Sequence, residues 1–347
     1  MKNPTRTQYC AYLAQLATLN GVESAAQMFT VAPSVQQKLE NRIQESSAFL
    51  QSIGIYPVDE MQGQKIGIGT DGPVASRTDT TGADRATRDA ASLAGQGYQC
   101  VQTNYDTHVR YATLDMWAKF KDFQLRLSRA IQQQCALDRI MIGFNGTSVA
   151  ANTNRVANPL LQDVNKGWLQ YLRENAPERV MDEGATAGKV IVKAEKLPDG
   201  TVKPAAGADF ATLDGLVYDA THSLLDSWHA EAGDLVAIVG RGLMHDKLFP
   251  LVDSQTAPTE MLAADIVRSQ RRLGSLAAVT VPYMKAGAIL VTSLKNLSIY
   301  YQDGSRRRAV IDNPKRDRIE TFESSNDAFV VEDLGKACLI ENIELQA

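Results

Sequence analysis

The sequence predicts a mixed α+β protein with one unusually long helix and one long excursion of the chain. Three observations predict this class. Residues 98–142 contain no Gly or Pro, and from about residue 113 their apolar side chains recur at helical spacing. Residues 101–111 alternate strictly between core-type and polar side chains, which indicates a half-buried strand. From about residue 150, helical stripes alternate with short apolar runs, which is typical of an α/β half.

The first sixty residues are expected to form an arm of two helices. Leu13 and Leu16 belong to a stripe at helical spacing, and Asn20 and Gly21 provide its stop. A second stripe begins after Pro33, which suits a helix start because the first N–H groups of a helix have no intrahelical partner. Neither stripe can form a core alone, so the arm is expected to pack on another part of the protein.

Residues 61–97 are rich in glycine and poor in large apolar side chains. Seven of the 24 glycines of the chain lie between Gly63 and Gly97. Structureless loops of such length are rare in compact domains, so a two-stranded excursion is favoured. The alternating residues 101–111 supply one strand, and 65–69 are its candidate partner. Because an isolated hairpin is only marginally stable, we expect this one to lie on a neighbouring chain.

The helix predicted from about residue 113 is far longer than usual. Gly143 and then Asn145 and Gly146 end it, so that it spans about thirty residues and roughly 45 Å. An average helix has only ~11–12 residues, so this one is expected to act as a backbone for other elements. Its predicted apolar face consists of Met116, Phe120, Phe123, Leu127, Ile131 and Cys135.

The second half of the chain is predicted to alternate helices with short strands. A helix is expected after Pro159, with Leu161 and Trp168 on its apolar face. Residues 182–208 are polar and are expected to form a surface hairpin or loop, whereas 235–239 read as a buried strand. Strand-like runs follow at 276–283, 288–294, 296–302 and 328–340.

Residues 303–323 form a charge-dense segment. Eleven of its 21 residues are charged, six basic and five acidic. A solvated loop is the ordinary explanation for such a run. However, the two signs alternate closely and strand-forming residues lie between them, which is typical of ion-pair networks that fix the register of two subunits. The interface interpretation is therefore favoured.

Overall composition excludes several classes of protein. The net charge of −4 argues against a protein that depends on a broad basic surface to bind nucleic acid or anionic lipid. Apolar runs fall short of the eighteen or so residues of a membrane span, and the N-terminus lacks the apolar core of a signal peptide. The four cysteines are far apart without a Cys-x-x-Cys pair, so neither a disulfide scaffold nor a zinc site is expected. A globular intracellular chain is expected.

Catalytic and cofactor motifs are weak. Residues 67–72 match G-x-G-x-x-G, but no helix is predicted to begin for about forty residues after them, whereas a bound phosphate needs a helix N-terminus there. Residues 184–190 are one residue too short for a phosphate loop and end on Val where Ser or Thr must bind magnesium. The chain contains neither HExxH nor G-x-S-x-G. We expect no enzyme, catalytic residue, cofactor or metal, and a nucleotide-binding enzyme using 67–72 is a remote alternative.

Runs of residues along nearly the whole chain resemble the major capsid proteins of Peduovirus-type tailed phages. The resemblance is weakest at about 182–208. The runs that carry it include FTVAPSV (29–35), RYATLDMWAKFKDFQLR (110–126), NPLLQDVNKGWLQ (158–170), VAIVGRGLMHDKLFPLV (236–252), NLSIYYQDGSRRR (296–308) and NPKRDRIETFESSNDAFVVEDL (313–334).

The resemblance implies the Hong Kong 97-type (HK97-like) capsid fold, which belongs to the α+β class. That fold has an N-terminal arm, an extended β-hairpin loop, a peripheral domain built on a long spine helix, and an axial α/β domain. The implied boundaries are 1–60 for the arm, 61–112 for the extended loop, 113–150 for the spine helix, 151–295 for the axial domain, 296–330 for the return to the peripheral domain and 331–347 for a C-terminal strand.

The implied function is structural. Hexamers and pentamers of the chain would form the icosahedral head around double-stranded DNA, assembled in the host cytoplasm and retained in the virion. Implied partners are further copies of the chain, a scaffolding and maturation protease, a portal protein, optionally a decoration protein, and packaged DNA through weak contacts; no membrane is expected. An encapsulin-like cage of the same fold, enclosing an enzyme cargo, is the alternative.

Two groups of residues are candidates for this function. The family-like stretch at Phe29 and Thr30 is the expected site of maturation cleavage. The expected assembly interface comprises residues of the extended loop and of the charge-dense segment: Lys65, Ile66, Ile68, Arg77, Arg85, Arg88, Arg306, Arg307, Arg308, Asp312, Lys315, Arg316, Asp317 and Arg318.

Overall fold

A computed structural model describes residues 1–65, 75, 77–82, 84–85, 96–117, 123–199, 201–253 and 271–346. It confirms the predicted mixed α+β class. The helices are α1 (Asn3–Asn20), α2 (Pro33–Glu45), α3 (Ala48–Ser52), α4 (Tyr111–Trp117), α5 (Phe123–Asn145), α6 (Trp168–Asn175), α7 (Leu213–Leu224) and α8 (Arg241–Asp253).

The strands pair into two larger and three smaller sheets. In chain order they are β1 (Phe29–Thr30), β2 (Gly54–Val58), β3 (Gln62–Lys65), β4 (Gln96–Gln99), β5 (Val101–Asn104), β6 (Thr107–Arg110), β7 (Val180–Met181), β8 (Val190–Val192), β9 (Ala194–Lys196), β10 (Val202–Pro204), β11 (Leu235–Val239), β12 (Arg272–Leu273), β13 (Leu276–Thr280), β14 (Ile289–Ser293), β15 (Leu297–Gln302), β16 (Arg307–Asn313), β17 (Arg318–Val331), β18 (Cys338–Ile340) and β19 (Ile343–Leu345).

The seven-stranded sheet is organised around β17. Its order is β1-β16-β17-β15-β2, and β5 and β6 pair with β17 as well. β17 is 14 residues long, which is enough to pair with β16 along its first half and with β15 along its second half. This sheet therefore brings the start, the middle and the end of the chain together.

The alternation predicted for residues 101–111 is confirmed, and these strands pair with β17; of the predicted partner 65–69, only Lys65 belongs to the described residues. Odd-numbered side chains in β5 and β6 are buried or half-buried and even-numbered ones are exposed. Both strands pair antiparallel with β17, for example Thr103 opposite Ser325 and Val109 opposite Ile319. Lys65, at the start of the predicted partner, pairs with Gln96 in the separate sheet of β3 and β4 instead. Pairing with β17 places β5 and β6 in the seven-stranded sheet, and the core beneath that sheet covers their apolar side.

The six-stranded sheet is covered on both faces. Its order is β12-β13-β11-β14-β18-β7. Successive residues of β11 alternate between two cores: Ala237 and Val239 pack in a cluster with α7 and α8, whereas Ile238 packs in a cluster with α5 and α6. Burial on both faces explains why residues 235–239 read as a continuous apolar run rather than an alternating one.

Trp168 lies at the centre of the core between the two larger sheets. Its ring is fully buried and makes edge or tilted contacts with Phe49, Phe144 and Phe329 at centroid distances of 6.0, 5.2 and 5.3 Å. Its indole N–H donates to the Ser298 carbonyl at 3.0 Å, which satisfies the buried polar atom. One side chain therefore joins α3, α5, α6, β15 and β17.

The predicted end of the long helix is confirmed at Asn145. Residues 118–122, which separate α4 from α5, lie outside the described residues, and Met116 of the predicted apolar face is 62% exposed. Two glycines allow the end of α5 to approach α6 closely. A Cβ on Gly143 would lie 2.2 Å from the Trp168 ring, and one on Gly167 would lie 2.3 Å from the Gly143 carbonyl oxygen.

The helix predicted after Pro159 begins later than expected, at Trp168. The buried Asp163 carboxylate accepts from the Asn154 backbone N–H at 2.8 Å and from the Asn158 side chain at 3.1 Å, so polar side chains hold residues 154–163 in turns. Leu161 has a φ of 56°, which is incompatible with a right-handed helix.

The N-terminal arm packs on the seven-stranded sheet, as expected of an element without its own core. α1 ends at Gly21, whose φ of 65° is the left-handed conformation that glycine favours, and α2 begins at Pro33. Leu16 of α1 joins a cluster with Tyr111 and Val310. The arm therefore covers the face of the sheet near β16.

The polar residues 182–208 include the predicted surface hairpin. β9 and β10 pair antiparallel, and their side chains are exposed. Among the helices described above, none is both long enough and apolar enough to cross a bilayer.

Candidate assembly surface

The charge-dense segment folds as a β-hairpin rather than as an irregular loop. β16 and β17 pair from Arg307 opposite Ser324 to Asn313 opposite Arg318. The turn is a short 3₁₀ helix at Pro314–Arg316, followed by Asp317 in the left-handed conformation with a φ of 49°. The alternating charges therefore lie along two paired strands and at a defined tip.

Four residues of the predicted interface are exposed on this hairpin. They are Arg307 near the start of β16 and Lys315, Arg316 and Asp317 at the tip. Among the described residues, no carboxylate lies within 4.0 Å of the charged nitrogens of Arg307, Lys315 or Arg316. These three cations are therefore available to a partner outside the chain.

Three further predicted interface residues already have partners inside the chain. Arg308 donates to the Tyr12 hydroxyl at 3.1 Å. Asp312 accepts hydrogen bonds from the Tyr111 hydroxyl and, at 3.4 Å, from Arg6 of α1. Arg308 and Asp312 therefore help to fasten the N-terminal arm to the hairpin.

Arg318 is the third of these residues, and its partner lies within its own strand. Its guanidinium is 2.6 Å from the Glu320 carboxylate.

The prediction for Arg306 needs correction. Its side chain is only 2% exposed and lies between two carboxylates of the same chain, with Nη1 2.5 Å from Glu40 and Nε 2.7 Å from Glu323. Removing a guanidinium from water requires compensating charges nearby, and here the chain supplies them itself. Arg306 therefore contributes to the interior of the subunit rather than to its surface.

A buried ion cluster underlies the hairpin. Arg139 of α5 donates to Asp327 of β17 at 3.1 Å from Nε and to Glu40 of α2 at 3.2 Å from Nη2. Burial alone raises the pKa of Glu40, but the adjacent guanidinium groups of Arg139 and Arg306 outweigh it, so the pKa lies below its ordinary value of 4.5. The cluster thus fixes α2, α5 and the seven-stranded sheet relative to one another.

Sequence reasoning missed Glu40, Arg139 and Asp327. A partial signal exists for Arg139, which follows Cys135 by four residues on the predicted apolar face of the long helix. Gln36, Glu40 and Ile43 share the buried face of α2, although the first two are polar. A charged residue at a core position indicates a buried partner, but the sequence does not identify which one.

The predicted interface residues of the extended loop are only partly described. Lys65 ends β3, and Arg77 and Arg85 are exposed. The remaining positions lie outside the described residues, as does the glycine motif: Ile66, Ile68, Arg88 and 67–72.

The predicted cleavage site lies in an edge strand. Phe29 pairs with Arg308 and Thr30 with Arg307, so that β1 forms one border of the seven-stranded sheet. Phe29 is 8% exposed, while Thr30 is exposed.

Two features of the described residues bear on metal binding and on thiol chemistry. They contain no group of three or more His, Cys, Asp or Glu side chains that could hold a metal ion. Burial raises the pKa of the Cys100 and Cys135 thiols to about 12, with smaller contributions from nearby carboxylates. Neither thiol can act as an activated nucleophile at neutral pH.

Comparison with known sequences gives a consistent result. Residues 8–343 match the profile of the phage major capsid protein family described as the P2 family. The chain is 49% identical to the capsid protein of Escherichia phage P2, over 99% of this chain and 96% of that protein. It is 40% identical to the major capsid protein of Serratia phage KSP20, over 99% and 97% of the two chains.

Solved structures agree with the sequence comparison. A chain in the procapsid of satellite phage P4, which includes the size determination protein Sid, superposes with a TM-score of 0.80 at 46% identity, covering 100% of this chain and 99% of that one. The capsid of a native GTA particle shares the fold at 12% identity, with a TM-score of 0.50 over 86% of this chain and 91% of that one.

The family is one of structural proteins that form the shell of a virion, which excludes the nucleotide-dependent enzyme. The chain belongs to the P2 family of phage major capsid proteins.

Proposed function

We propose that this capsid protein closes into an icosahedral head of hexamers and pentamers, and that residues 61–112 are its extended loop. Because β5 and β6 at the end of that range pair with β17 of the same chain, the part proposed to lie across a neighbouring subunit begins at β3 and ends with β4. The observation that carries the proposal is the pairing of β3 with β4, which form a two-stranded sheet separate from the larger sheets. Thirty residues of sequence lie between these strands.

Within the subunit the β3–β4 hairpin touches the seven-stranded sheet through Tyr98 of β4, whose ring centroid lies 5.2 Å from that of Tyr300. Because a two-stranded hairpin is marginally stable, a neighbouring subunit is proposed to support the rest of it.

In this proposal the other parts of the chain have distinct roles. Residues 113–150, including most of α4 and all of α5, serve as the spine helix, and 151–295 serve as the axial domain. Residues 296–330 return to the peripheral domain, and 331–347 form the terminal strand. The covered six-stranded sheet supports the axial assignment, since a compact unit with its own core can meet other copies around an axis. Contacts between different faces of identical subunits close into rings.

The proposed interface on the hairpin consists of Arg307, Lys315, Arg316 and Asp317. Their exposure and the lack of ion-pair partners for the three cations among the described residues support this role. Arg77 and Arg85, which are exposed as well, are proposed to contribute from the extended loop.

The proposed partners follow from the needs of a DNA-filled head. A scaffolding and maturation protease would guide assembly, a portal protein would admit the DNA, and a decoration protein is optional. Packaged DNA would be held by weak contacts, since a net charge of −4 leaves no excess of cations to bind phosphate. The P4 procapsid, whose chain is 46% identical to this one, includes an accessory protein, which supports assembly with a helper.

Maturation cleavage is proposed near Phe29 and Thr30. Both residues lie in the border strand β1, which a protease can reach more easily than a central strand. N-terminal mass spectrometry of mature particles tests the proposal: a new terminus near residue 30 would support it, and an intact Met1 would refute it.

Electron microscopy tests the assembly proposal directly. The chain is expressed with the scaffolding protein of its own phage, and the high-speed pellet is imaged. Uniform closed shells with fivefold and sixfold clusters of subunits are the expected result. If the chain stays in the supernatant as a monomer or small oligomer while the scaffold is present, the proposed assembly is wrong.

A further inference from the structure

We propose that a cleft at the tip of the β16–β17 hairpin binds a carboxylate group of a neighbouring subunit, and that Arg110 is one of its recognition residues. The inference rests on the assembly function proposed above and adds the chemistry of one contact. The cleft has a volume of about 560 Å³. The residues that line it are Arg110, Ala112, Arg316, Asp317 and Arg318.

Two arginines face each other across the strands beside this cleft. Arg110, the last residue of β6, lies directly opposite Arg318 of β17. Like charges at directly opposed positions destabilise a sheet. Arg318 has one carboxylate partner, Glu320 at 2.6 Å, whereas Arg110 has none within 4.0 Å among the described residues. The isolated subunit therefore carries positive charge at this point that an external anion would neutralise.

The tip is basic in a chain that is acidic overall. Its four cations outnumber its two anions, which gives a charge of +2, while the whole chain has a charge of −4 and the remainder therefore −6. A second copy of the same chain thus offers a surplus of carboxylates to this cleft. Guanidinium groups bind carboxylates through two parallel hydrogen bonds, which adds direction to the attraction. The charged residues counted here are Arg110, Lys315, Arg316, Arg318, Asp317 and Glu320.

The cleft is formed within the subunit before any partner binds. The Tyr111 backbone N–H donates to the Asp317 carbonyl at 2.9 Å, which holds the end of β6 against the hairpin turn. Arg318 is held by Glu320. A binding site whose backbone is already ordered loses less conformational entropy when it binds.

A phosphate group of DNA would also suit guanidinium groups. The carboxylate is favoured because Asp317 lines the cleft and Glu320 adjoins it, and both would repel a polyanion that brings many charges, while a single side chain brings one.

Carbodiimide cross-linking of shells tests the inference first. The reagent joins the Lys315 amine to a carboxylate only when the two are in contact, and mass spectrometry identifies the linked peptides. A link between the Lys315 peptide and an acidic peptide is expected in shells and not in the unassembled chain. If shells yield links at other lysines but none at Lys315, or the same Lys315 link as the unassembled chain, the inference is wrong.

Substitution then separates an assembly role from a structural one. Arg110→Gln and Arg316→Gln are each expected to leave the melting temperature of the unassembled chain unchanged or higher, because they remove repulsion, while the yield of closed shells falls about tenfold. Arg110→Lys should restore part of that yield, and Lys196→Gln on the exposed β9 should leave it unchanged.

Each other outcome has a definite meaning. If the variants destabilise the unassembled chain as much as they reduce shell yield, the arginines are structural and the inference fails. If empty shells form normally but lose packaged DNA, the ligand is phosphate and the inference fails. If the wild-type chain forms no shells with its scaffold, the assembly proposal itself fails; normal shells from both variants would overturn only the carboxylate site.

Discussion

Arg139 on α5 and Asp327 on β17 form a buried ion pair, although 188 residues of sequence separate them. Both side chains are at most 2% exposed, and Glu40 and Arg306 complete the cluster. Because buried charges must be matched, this cluster selects one arrangement of the arm, the long helix and the sheet from which the hairpin projects.

Replacing Arg139 by Met should destabilise the subunit strongly. The substitution leaves the buried Glu40 and Asp327 without one of their cations, and removal of one partner from a buried pair costs about 3–5 kcal/mol. Urea denaturation of the unassembled chain should show a much lower midpoint. Arg129→Met, at an exposed position of the same helix, is the control and should leave the midpoint within error. Equal midpoints for Arg139→Met and wild type would mean that the cluster does not stabilise the fold.

The contribution of Glu40 to stability should depend on pH. Its pKa is lower in the folded chain than its ordinary value of 4.5, so its stabilising effect is fully present above that pH and is lost as the pH falls through the folded pKa. The difference in urea midpoint between wild type and Glu40→Gln should be largest at pH 7 and should shrink below about pH 4.5. A difference that stays constant from pH 7 to pH 3 would contradict this assignment.

Replacing Gly143 by Ala should disturb the core around Trp168. The new methyl group would lie 2.2 Å from the indole ring, which Phe49, Phe144 and Phe329 hold in place. Overpacking of this kind costs about 1–3 kcal/mol, so thermal unfolding should begin several degrees earlier.

Gly242→Ala is the matched control for Gly143→Ala. Among the described residues, no atom beyond the local backbone of α8 lies within 4 Å of a Cβ at Gly242, so this change should leave stability equal or slightly higher, because Ala favours a helix. If both glycine variants unfolded at the wild-type temperature, the core around Trp168 would accommodate the added methyl group without losing stability, and the prediction would be wrong.

Deleting residues 66–96 should separate folding from assembly. If Lys65 is joined to Gly97 by a two-residue turn, the larger sheets keep all of their described strands, because none of these lies within 66–96. The variant should show a circular dichroism spectrum and melting temperature close to those of the wild type but should not form closed shells. Normal shells in the electron microscope would mean that the extended loop is not the assembly element.

Arg110 illustrates why the interface residues were only partly predictable. The sequence of 303–323 alone indicates a charge-dense segment, and Arg316 and Arg318 lie in it. Arg110 lies about two hundred residues earlier, in an alternating strand. Charge density is a local property, so it predicts which segment is charged. It does not predict which distant strand will pair with that segment.

The sequence by itself determined the local features of this protein. Gly21 ends α1 because glycine adopts the left-handed conformation at little cost, and Pro33 begins α2 because its fixed φ and missing N–H suit the first turn of a helix. The alternation of residues 101–111 predicted which side chains face the core, and the apolar run 235–239 predicted a buried strand. These signals depend on neighbours in the chain, and periodicity encodes them directly.

Only the tertiary structure decided which segments meet. β5 and β6 pair with β17, which is distant from them in sequence, and this pairing places Arg110 opposite Arg318. Arg306 is buried against Glu40, which is also distant in sequence. A strand with one apolar face can pair with several partners of equal pattern, and a charged residue can be exposed or buried. The choice depends on the total packing and charge compensation of the folded chain, which no local pattern contains.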